Sequence, residues 1–493
     1  MKKNREDSFL AKCAYGMADI YGGGAFVIIS TFFTVFLTKA LGMNPALAGT
    51  IPLIGRVWDA ITDPIMGNIV DRTKSRFGAK RFYILIGSVV SAITFLMLWM
   101  STSAAHPIAQ YAFYVAMYML FSTGFTIVMV PYNGLLPDML DDYSKRAGFA
   151  GVRTVFSSFG AILAGLVPTI IIKDNTDASK YFEVAVIFSV IFLICVLATF
   201  FGTWEKKKEP VHIPLKKSLA QSFSVYKSFS FKLFILIFLA GQGAADFVTG
   251  LAVYYVDDVL NAYSGGRFTL LMGVLLLAQF AGTIIFSIVI RKTSKRLPIL
   301  VGFPIRIAAT IALLFFSYEG AADTTMGLAI ILGLSFVIGV GMAASSVSIY
   351  AILTDMADVD ELITSISRPG TVSGMATFIR KIATGLSSTI IGLLLAMIGY
   401  DETLASQRLR QAASTQTGIT QLYVWIPILM MALTIIFAII FPLHKKEFDV
   451  VKKEILRRKG EDASAATDEE KAICEKVTGF KYENLWKKEN AVR

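Results

Sequence analysis

Apolar stretches of roughly 20 residues recur along the whole chain and constrain its fold more than any other feature. Each is long enough to cross a hydrocarbon core of about 30 Å as a helix. Charged residues make up only 17% of the sequence, whereas a soluble chain averages about 25%. We therefore predict an all-α membrane protein. The twelve predicted spans cover 13–39, 46–70, 82–101, 109–136, 147–173, 181–204, 232–258, 267–290, 298–317, 325–353, 371–399 and 420–443.

The loops between these spans alternate in charge. Basic residues gather before span one and after spans two, four, six, eight and twelve, whereas loops 101–108, 259–266 and 318–324 carry little positive charge. Basic loops remain in the cytoplasm, so we predict a multi-pass protein of the plasma membrane with both termini cytoplasmic. The same loops account for the formal net charge of +11. We therefore predict that the chain contacts the lipid bilayer and binds no nucleic acid.

The two halves of the sequence resemble each other. PDMLDD at 137–142 recurs as TDMADVD at 354–360, so Asp138 and Asp141 return as Asp355 and Asp358 after 217 residues. DRTKSR at 71–76 recurs as RKTSKR at 291–296, with an offset of 220. Near-equal offsets at two loops indicate a duplicated six-span unit.

Parallel six-span halves around a midplane cavity are the design of the major facilitator transporters. We predict that fold, with six-helix bundles at 1–204 and 232–443 joined by a cytoplasmic linker at 205–231. The charged tail at 444–493 is predicted to begin as a solvated or membrane-skimming helix, and the alternative is a partner-binding role. The protein is expected to function as a monomer.

Two carboxylates interrupt the second apolar stretch. Asp59 and Asp63 are spaced i,i+4, which places them on one helix face about 5–6 Å apart. Acids at that depth are costly and usually mark an ion or proton path. They could instead be neutralised by Arg56 to hold helices together, but one acid would suffice for that. We favour a site that shares a sodium ion, which lets both stay charged, or a proton, which neutralises one.

Enzymatic chemistry has little support in the sequence. The three histidines, His106, His212 and His444, all lie in loops or at span ends, so no histidine-based metal cluster or catalytic triad is predicted in the membrane. The three cysteines are scattered. No Walker-type phosphate loop occurs, so ATP is not the predicted energy source. We predict a transporter without a cofactor other than a coupling Na⁺ or H⁺.

Several motifs resemble those of the glycoside–pentoside–hexuronide:cation symporters, the family of melibiose permease. The most specific is RVWDAITDPIMG at 56–67, followed by RFGAKRFYILIG at 76–87. Four more motifs fit the family: YGMAD at 15–19, TIVMVPY at 126–132, TGLAVYY at 249–255 and DMADVDE at 355–361. The resemblance covers nearly the whole transmembrane region and implies cation-coupled import of a small saccharide or glycoside.

The resemblance also implies roles for individual residues. It assigns Asp59 and Asp63 to the cation site, with Thr126 on span four beside them. Arg153 matches a family arginine near the sugar. Lys381 on span eleven matches a family lysine that reaches the acids of the cation site. Because a buried lysine without an acid partner is expensive, we expect Lys381 to pair with one of the two carboxylates rather than extend to the cytoplasm.

Other positions depart from the family pattern. Gly22 and Gly23 replace a Lys-Asp dipeptide, Met129 replaces an aspartate, and Asn133 and Ser346 replace tryptophans. Losing acids while retaining bases makes the cavity more positive, which favours a substrate with a carboxylate, such as a glucuronide. A neutral pentoside or glucoside is at least as well supported. The lost oxygen ligand at position 129 weakens a sodium site, so proton coupling is as well supported as sodium coupling.

Two acids elsewhere are candidates to replace those that are missing. Asp19 lies one turn before Gly23, and Asp246 lies near the middle of span seven. The alternatives are a helix cap for Asp19 and an interhelical hydrogen bond for Asp246. The full set of predicted substrate-binding residues is Asp19, Gly23, Met129, Asn133, Arg153, Asp246, Thr377 and Lys381.

Charged loops at the predicted cytoplasmic end are candidate gating elements. In the first half these are Gly67, Asp71 and Arg72. In the second half the candidates are Asp355, Asp358 and Glu361. We predict a charge network that breaks when the two halves rock; the alternative is a basic loop that only sets topology.

Two rival functions remain on the sequence alone. Relatives of this fold diverge toward other solutes, so a lysolipid or a small organic acid is a rival substrate. A membrane receptor or scaffold that keeps the fold without transport is a rival of another class. Buried Asp59, Asp63 and Lys381 count against a scaffold, which has no need of buried charge.

Overall fold

The computed structural model describes residues 8–102, 106–140, 143–206, 222–260, 266–318 and 320–491. Its main elements are twelve long helices, and the described residues contain no strand. The helices are α1 Phe9–Ile28, α2 Pro45–Arg72, α3 Ala79–Leu98, α4 Pro107–Met139, α5 Tyr143–Ile171, α6 Ala178–Gly202, α7 Phe229–Tyr254, α8 Arg267–Lys292, α9 Leu297–Leu313, α10 Thr325–Thr364, α11 Pro369–Met397 and α12 Ala413–Ile440.

Shorter elements extend or follow these helices. π-Helical turns continue α1 and α7, and a 3₁₀ turn continues α9. A one-turn helix separates α11 from α12, and two helices, α13 and α14, form the tail. The bounds are Ile29–Phe33 and Phe36–Ala40 after α1, Tyr255–Val259 after α7, Leu314–Phe316 after α9, Glu402–Ser406 after α11, and Lys445–Lys459 and Asp468–Thr478 for α13 and α14.

The predicted all-helical class is confirmed. Within the described residues, eleven helices are long and apolar enough to cross a membrane. The twelfth, α2, has 28 residues, and its buried charges make it less apolar than the others. The largest difference from the predicted spans is at α10, which runs to Thr364, eleven residues beyond the predicted end at 353.

We call α1–α6 the N-terminal half and α7–α12 the C-terminal half. The division into residues 1–204, 205–231, 232–443 and 444–493 stays a prediction, and linker residues 207–221 lie outside the described residues. The loops α2–α3, α4–α5, α6–α7, α8–α9 and α10–α11 share one end of the bundle, which we call the basic end. The opposite end, predicted to be extracellular, is called the outer end.

Small residues let particular helices approach closely. A Cβ on Gly23 would lie 2.6 Å from the carbonyl oxygen of Ser157, so α1 packs directly against the backbone of α5. A Cβ on Gly392 would lie 2.1 Å from the carbonyl oxygen of Pro45, which brings α11 of one half against α2 of the other. Without a hydrophobic driving force between helices in lipid, such backbone contacts are a main source of packing energy.

The duplicated acidic motifs occupy equivalent places. Lys80 contacts the carboxylate of Asp138 in the N-terminal half, and Lys295 lies 2.5 Å from that of Asp355 in the C-terminal half. The first pair ties the beginning of α3 to the end of α4, and the second ties the α8–α9 loop to α10, each within one half. Asp141, the other repeated acid of the first half, lies outside the described residues.

The tail departs from the prediction of a solvated or membrane-skimming helix. It folds back onto the C-terminal half, where the backbone N–H of Trp486 donates to the carbonyl of Leu362 at 2.9 Å. Ser230 on α7 donates to the carbonyl of Val477 at 2.5 Å. Val477 and Cys474 are fully buried. An amphipathic pattern is the same for a helix on lipid and a helix on protein, and the extension of α10 provides the protein surface here.

A buried carboxylate holds this tail together. Glu454 is 1% exposed and accepts hydrogen bonds from Arg458 at 2.8 Å and from Tyr482 at 2.5 Å. We expect Glu454→Ala to lower the free energy of tail undocking by about 1–3 kcal/mol, because Arg458 and Tyr482 lose the acceptor that they share. Limited trypsin digestion within α13 should accelerate accordingly.

Glu469→Ala is the matched control, because its pair with Lys446 is exposed and such pairs contribute only about 0–1 kcal/mol. Equal digestion rates for the Glu454 and Glu469 variants would contradict a docked tail.

Candidate transport site

A large cavity lies between the two halves. Its volume is about 1400 Å³, and its lining comes from α1, α2, α4 and α5 on one side and α10 and α11 on the other. Arg72 on α2, Gly370 on α11 and Ser222, which precedes α7, line it at the basic end. The cavity therefore opens at the basic end and reaches to the middle of the bundle, at Asp19 and Phe26.

The two acids of α2 lie at this cavity. Thr126 on α4 donates to Asp63 at 2.8 Å, and the ammonium of Lys381 on α11 lies 2.7 Å from the other carboxylate oxygen of Asp63. The same ammonium is 4.0 Å from Asp59. Asp59 is fully buried, with Arg56 at 3.4 Å. Two carboxylates and two cations thus share one site, and the contact between Asp63 and Lys381 joins the two halves.

Some oxygens at this site lack a partner. Among the described residues, Asp59 Oδ1 and Ser122 Oγ are buried without any hydrogen bond. Ser122 lies one turn before Thr126 on the same face of α4. A buried carboxylate oxygen without a donor is costly, so this oxygen has room for a hydrogen-bond donor or a cation. Carboxylate and hydroxyl oxygens suit Na⁺, and a proton on a carboxylate takes the same place.

The described residues contain no group of three or more His, Cys, Asp or Glu side chains able to hold a metal ion. A site of two acids and hydroxyls fits a weakly held coupling ion and not a permanent structural metal.

A polar cluster occupies the N-terminal half of the cavity. Arg153 on α5 donates to both carboxylate oxygens of Asp19, at 3.1 and 3.3 Å. It also donates to the side-chain oxygen of Asn133 at 2.7 Å and lies over the ring of Tyr132. Asp19, Asn133 and Arg153 all line the cavity. The predicted substrate residues on α1, α4 and α5 are therefore brought together.

Three other predicted substrate residues have different surroundings. Met129 lines the cavity beside Gly22. Thr377 also lines the cavity, one turn before Lys381. Gly23 instead lies at the contact between α1 and α5, where its missing side chain admits the backbone of Ser157.

A second arginine–aspartate pair lies in the C-terminal half. Asp246 on α7 accepts from Arg380 Nη1 and Nη2 at 2.6 and 2.7 Å. Arg380 Nη1 also donates to Thr384 at 2.7 Å. Sequence reasoning named Asp246 but missed Arg380, which precedes the family lysine by one residue. Arg380 could have been found in the sequence as a charged residue inside an apolar span.

The outer end is closed by buried charge. The ammonium of Lys39 lies 3.0 Å from Asp257 and 2.9 Å from Asp258, and all three side chains are at most 3% exposed. Asn175 donates to Asp257 at 2.7 Å, and Tyr400 donates to Asp258 at 3.2 Å. These bonds join α1 and the α5–α6 loop to the C-terminal half.

Sequence reasoning missed this outer lock, which we define as Lys39, Asn175, Asp257, Asp258 and Tyr400. The spacing of these residues could have indicated the lock, since Lys39 and Asp257 are 218 residues apart. That is close to the repeat offset, so equivalent positions of the two halves meet.

The predicted gating residues make few contacts between the halves. Gly67 and Arg72 line the cavity. Asp358 lies 3.9 Å from Lys452, and Glu361 lies 2.7 Å from Lys459, both on the tail. The side chain of Asp71 lies outside the described residues. With the cavity open at this end, Asp358 and Glu361 pair with the tail and not with the N-terminal half, and the predicted cross-half network stays a prediction.

Comparison with known proteins adds independent findings. A family model described as MFS/sugar transport protein matches residues 14–445. A putative sulfoquinovose importer of Salmonella typhimurium is 27% identical over 92% of this chain and 93% of its own. An isoprimeverose transporter of Lactiplantibacillus pentosus is 24% identical over 93% of each chain. A glucuronide carrier protein homolog of Escherichia coli is 24% identical over 92% of this chain and 96% of its own.

A solved structure shows the same fold. A bacterial homolog of the human lysosomal transporter Spinster, inward-facing and unoccupied, has a TM-score of 0.60 at 13% identity, covering 94% of this chain and 99% of that chain. The predicted major facilitator fold is thereby confirmed. The family match and the relatives confirm the resemblance read from the motifs and the prediction of a multi-pass transporter in place of an enzyme.

Proposed function

We propose that this chain, which belongs to the MFS/sugar transport protein family, imports a saccharide or glycoside together with Na⁺ or H⁺. The relatives named above are described as carriers of sulfoquinovose, isoprimeverose and glucuronides. Each of these compounds contains a sugar ring. The cavity of about 1400 Å³ is large enough for a mono- or disaccharide, since small-molecule sites span about 300–1,000 Å³.

The observation that carries the proposal is the contact between Asp63 and Lys381. The ammonium lies 2.7 Å from the carboxylate and acts as a tethered cation at the acid pair. A Na⁺ or H⁺ that binds Asp59 and Asp63 competes with it and weakens a bond between the two halves. Ion binding therefore changes the free-energy difference between conformations, which is the requirement for coupling.

The two ends of the cavity provide the alternating access. In this conformation the outer lock is closed and the basic end is open. Rocking of the halves about the central site separates Lys39 from Asp257 and Asp258 while the basic end closes. We propose that the basic end faces the cytoplasm of the cell that carries the protein in its plasma membrane, with both termini inside and a monomer as the working unit. The alternating loop charges support that orientation.

Uptake into proteoliposomes tests this function. We expect labelled sugar to accumulate above its external concentration only when an inward Na⁺ or H⁺ gradient is imposed. A tenfold gradient stores about 1.4 kcal/mol, so one ion per sugar gives at most about tenfold accumulation. A panel with sulfoquinovose, isoprimeverose and methyl β-D-glucuronide covers the sugar types. Equilibration of every sugar without accumulation under either gradient would refute coupling.

A further inference from the structure

The cavity carries an excess of positive charge that the coupling site does not use. Five basic and two acidic side chains line it: Arg56, Arg72, Arg153, Arg380, Lys381, Asp19 and Asp63. Asp246 lines a side chamber of about 320 Å³ that also borders Arg380. Counting Asp246, five positive charges face three negative ones around the space in which a substrate binds. Fully buried Asp59 lowers that excess without removing it.

Most of these cations are already engaged. Lys381 is held by Asp63, and Arg56 lies over the ring of Phe26, 3.7 Å from its centroid, beside Asp59. Arg153 uses Nε and Nη2 for Asp19 and Nη2 again for Asn133. Both forks of its guanidinium therefore contain an occupied nitrogen. Arg56 Nε also has no acceptor among the described residues, but it is buried, so its side fork is closed to the cavity. None of the three therefore offers the cavity two parallel free N–H donors.

Arg380 differs in which donors it uses. A guanidinium carries five N–H donors arranged as two forks. The end fork, Nη1 and Nη2, binds Asp246, and the remaining Nη1 donor binds Thr384. Nε–H and the second Nη2–H have no acceptor among the described residues, and together they form the side fork. The side chain is 21% exposed and lines both the cavity and its side chamber.

We propose that the side fork of Arg380 binds an oxyanion of the substrate, so that the transported sugar carries a carboxylate or a sulfonate. Asp246 and Thr384 hold the guanidinium so that this fork faces the cavity. Bidentate binding of planar or tetrahedral oxyanions is the geometry for which arginine is suited. The inference rests on the proposed function, because it assigns the substrate class of the same cavity.

The position of Arg380 also gives the anion a role in the transport cycle. Arg380 belongs to α11 of the C-terminal half, whereas Asp19, Asn133 and Arg153 belong to the N-terminal half. A sugar whose hydroxyls bind the N-terminal cluster and whose oxyanion binds Arg380 spans the two halves. Such a ligand favours closure of the cavity around itself, because it gains both sets of bonds only when the halves approach.

The alternative is that Arg380 and Asp246 only brace α7 against α11. The variant Arg380→Gln/Asp246→Asn distinguishes an oxyanion site from a brace, since it removes both charges and leaves no buried ion unpaired. Arg267→Gln/Asp323→Asn is the matched control, because it neutralises an arginine–aspartate pair that does not line the cavity. Binding is measured by calorimetry with methyl β-D-glucuronide, sulfoquinovose and neutral methyl β-D-glucoside.

We expect the unmodified protein to bind at least one oxyanion sugar about tenfold or more tightly than methyl β-D-glucoside. The Arg380/Asp246 variant should weaken that binding by about tenfold to a hundredfold and weaken binding of the neutral sugar by a much smaller factor. Comparing the glucuronide with sulfoquinovose distinguishes a carboxylate from a sulfonate. Equal binding of charged and neutral sugars by the unmodified protein, or an equal loss for all three sugars in the variant, would overturn the proposal.

Gradient-driven uptake in the same preparation separates this inference from the function on which it depends. Accumulation of the neutral glucoside in preference to both oxyanion sugars overturns the anion site and leaves coupled sugar transport standing. Accumulation of no sugar under any gradient overturns both.

Discussion

We expect the replacement of Asp59 by asparagine to abolish uphill accumulation of sugar while leaving downhill equilibration intact. Asp59 is fully buried, and one of its carboxylate oxygens has no hydrogen-bond partner among the described residues. The substitution keeps the size of the side chain and removes the charge that holds Na⁺ or the group that accepts H⁺. The expected result is a ratio of internal to external sugar of one, whatever gradient is imposed, against up to about tenfold in the unmodified protein.

Counterflow, in which internal unlabelled sugar drives entry of labelled sugar, requires no ion gradient and should persist in this variant. Asp449→Asn makes the same chemical change at an exposed position and should accumulate sugar normally. Accumulation at the unmodified level by Asp59→Asn would show that coupling does not pass through α2.

The second large effect is expected at the outer lock. Lys39→Met leaves Asp257 and Asp258 buried together without their shared cation. Removing one partner of a buried ion pair costs about 3–5 kcal/mol. That cost falls on the closed outer end and not on the open one, in which water reaches the carboxylates. The equilibrium should therefore shift toward the outward-open conformation by at least a hundredfold.

Labelling from outside measures this shift. Thr34 lines a small cavity beneath the lock, so a cysteine at that position, in a chain whose native cysteines are replaced, becomes accessible when the outer end opens. A membrane-impermeant maleimide should label it much faster when Lys39→Met is added. The triple variant Lys39→Met/Asp257→Asn/Asp258→Asn removes all three charges and should return labelling toward the original rate. Unchanged labelling in Lys39→Met would contradict a lock.

What the sequence could predict follows from the bilayer. Lipid admits only long, internally bonded helices, so span number and fold were readable from apolar runs and loop charge. Asp59 and Asp63 stood out because charge inside such a run is costly. Lys381 also stood out, and its partner could be narrowed to those two acids. The structure brings its ammonium to Asp63.

Other features depend on packing that no local pattern encodes. Lys39, Asp257 and Asp258 fall at predicted span ends, where charged side chains normally reach water. Only the approach of the two halves buries them. The pairing of Arg380 with Asp246, 134 residues away, likewise depends on how α7 lies against α11. The sequence predicts a tail in solvent or on the membrane surface because span ten is predicted to end at 353. The last turns of α10 lie beyond that residue, and they form the surface on which the tail docks.

The dependence of sugar affinity on the coupling ion tests the central claim most directly. Binding of methyl β-D-glucuronide, sulfoquinovose and isoprimeverose is measured on the purified protein across Na⁺ concentration at fixed pH, and across pH without Na⁺. Ion–sugar coupling predicts that one of the two ions raises the affinity for the transported sugar by about fivefold or more, and that Asp59→Asn removes this dependence. A sugar that binds with the same affinity at every Na⁺ concentration and every pH would contradict the account.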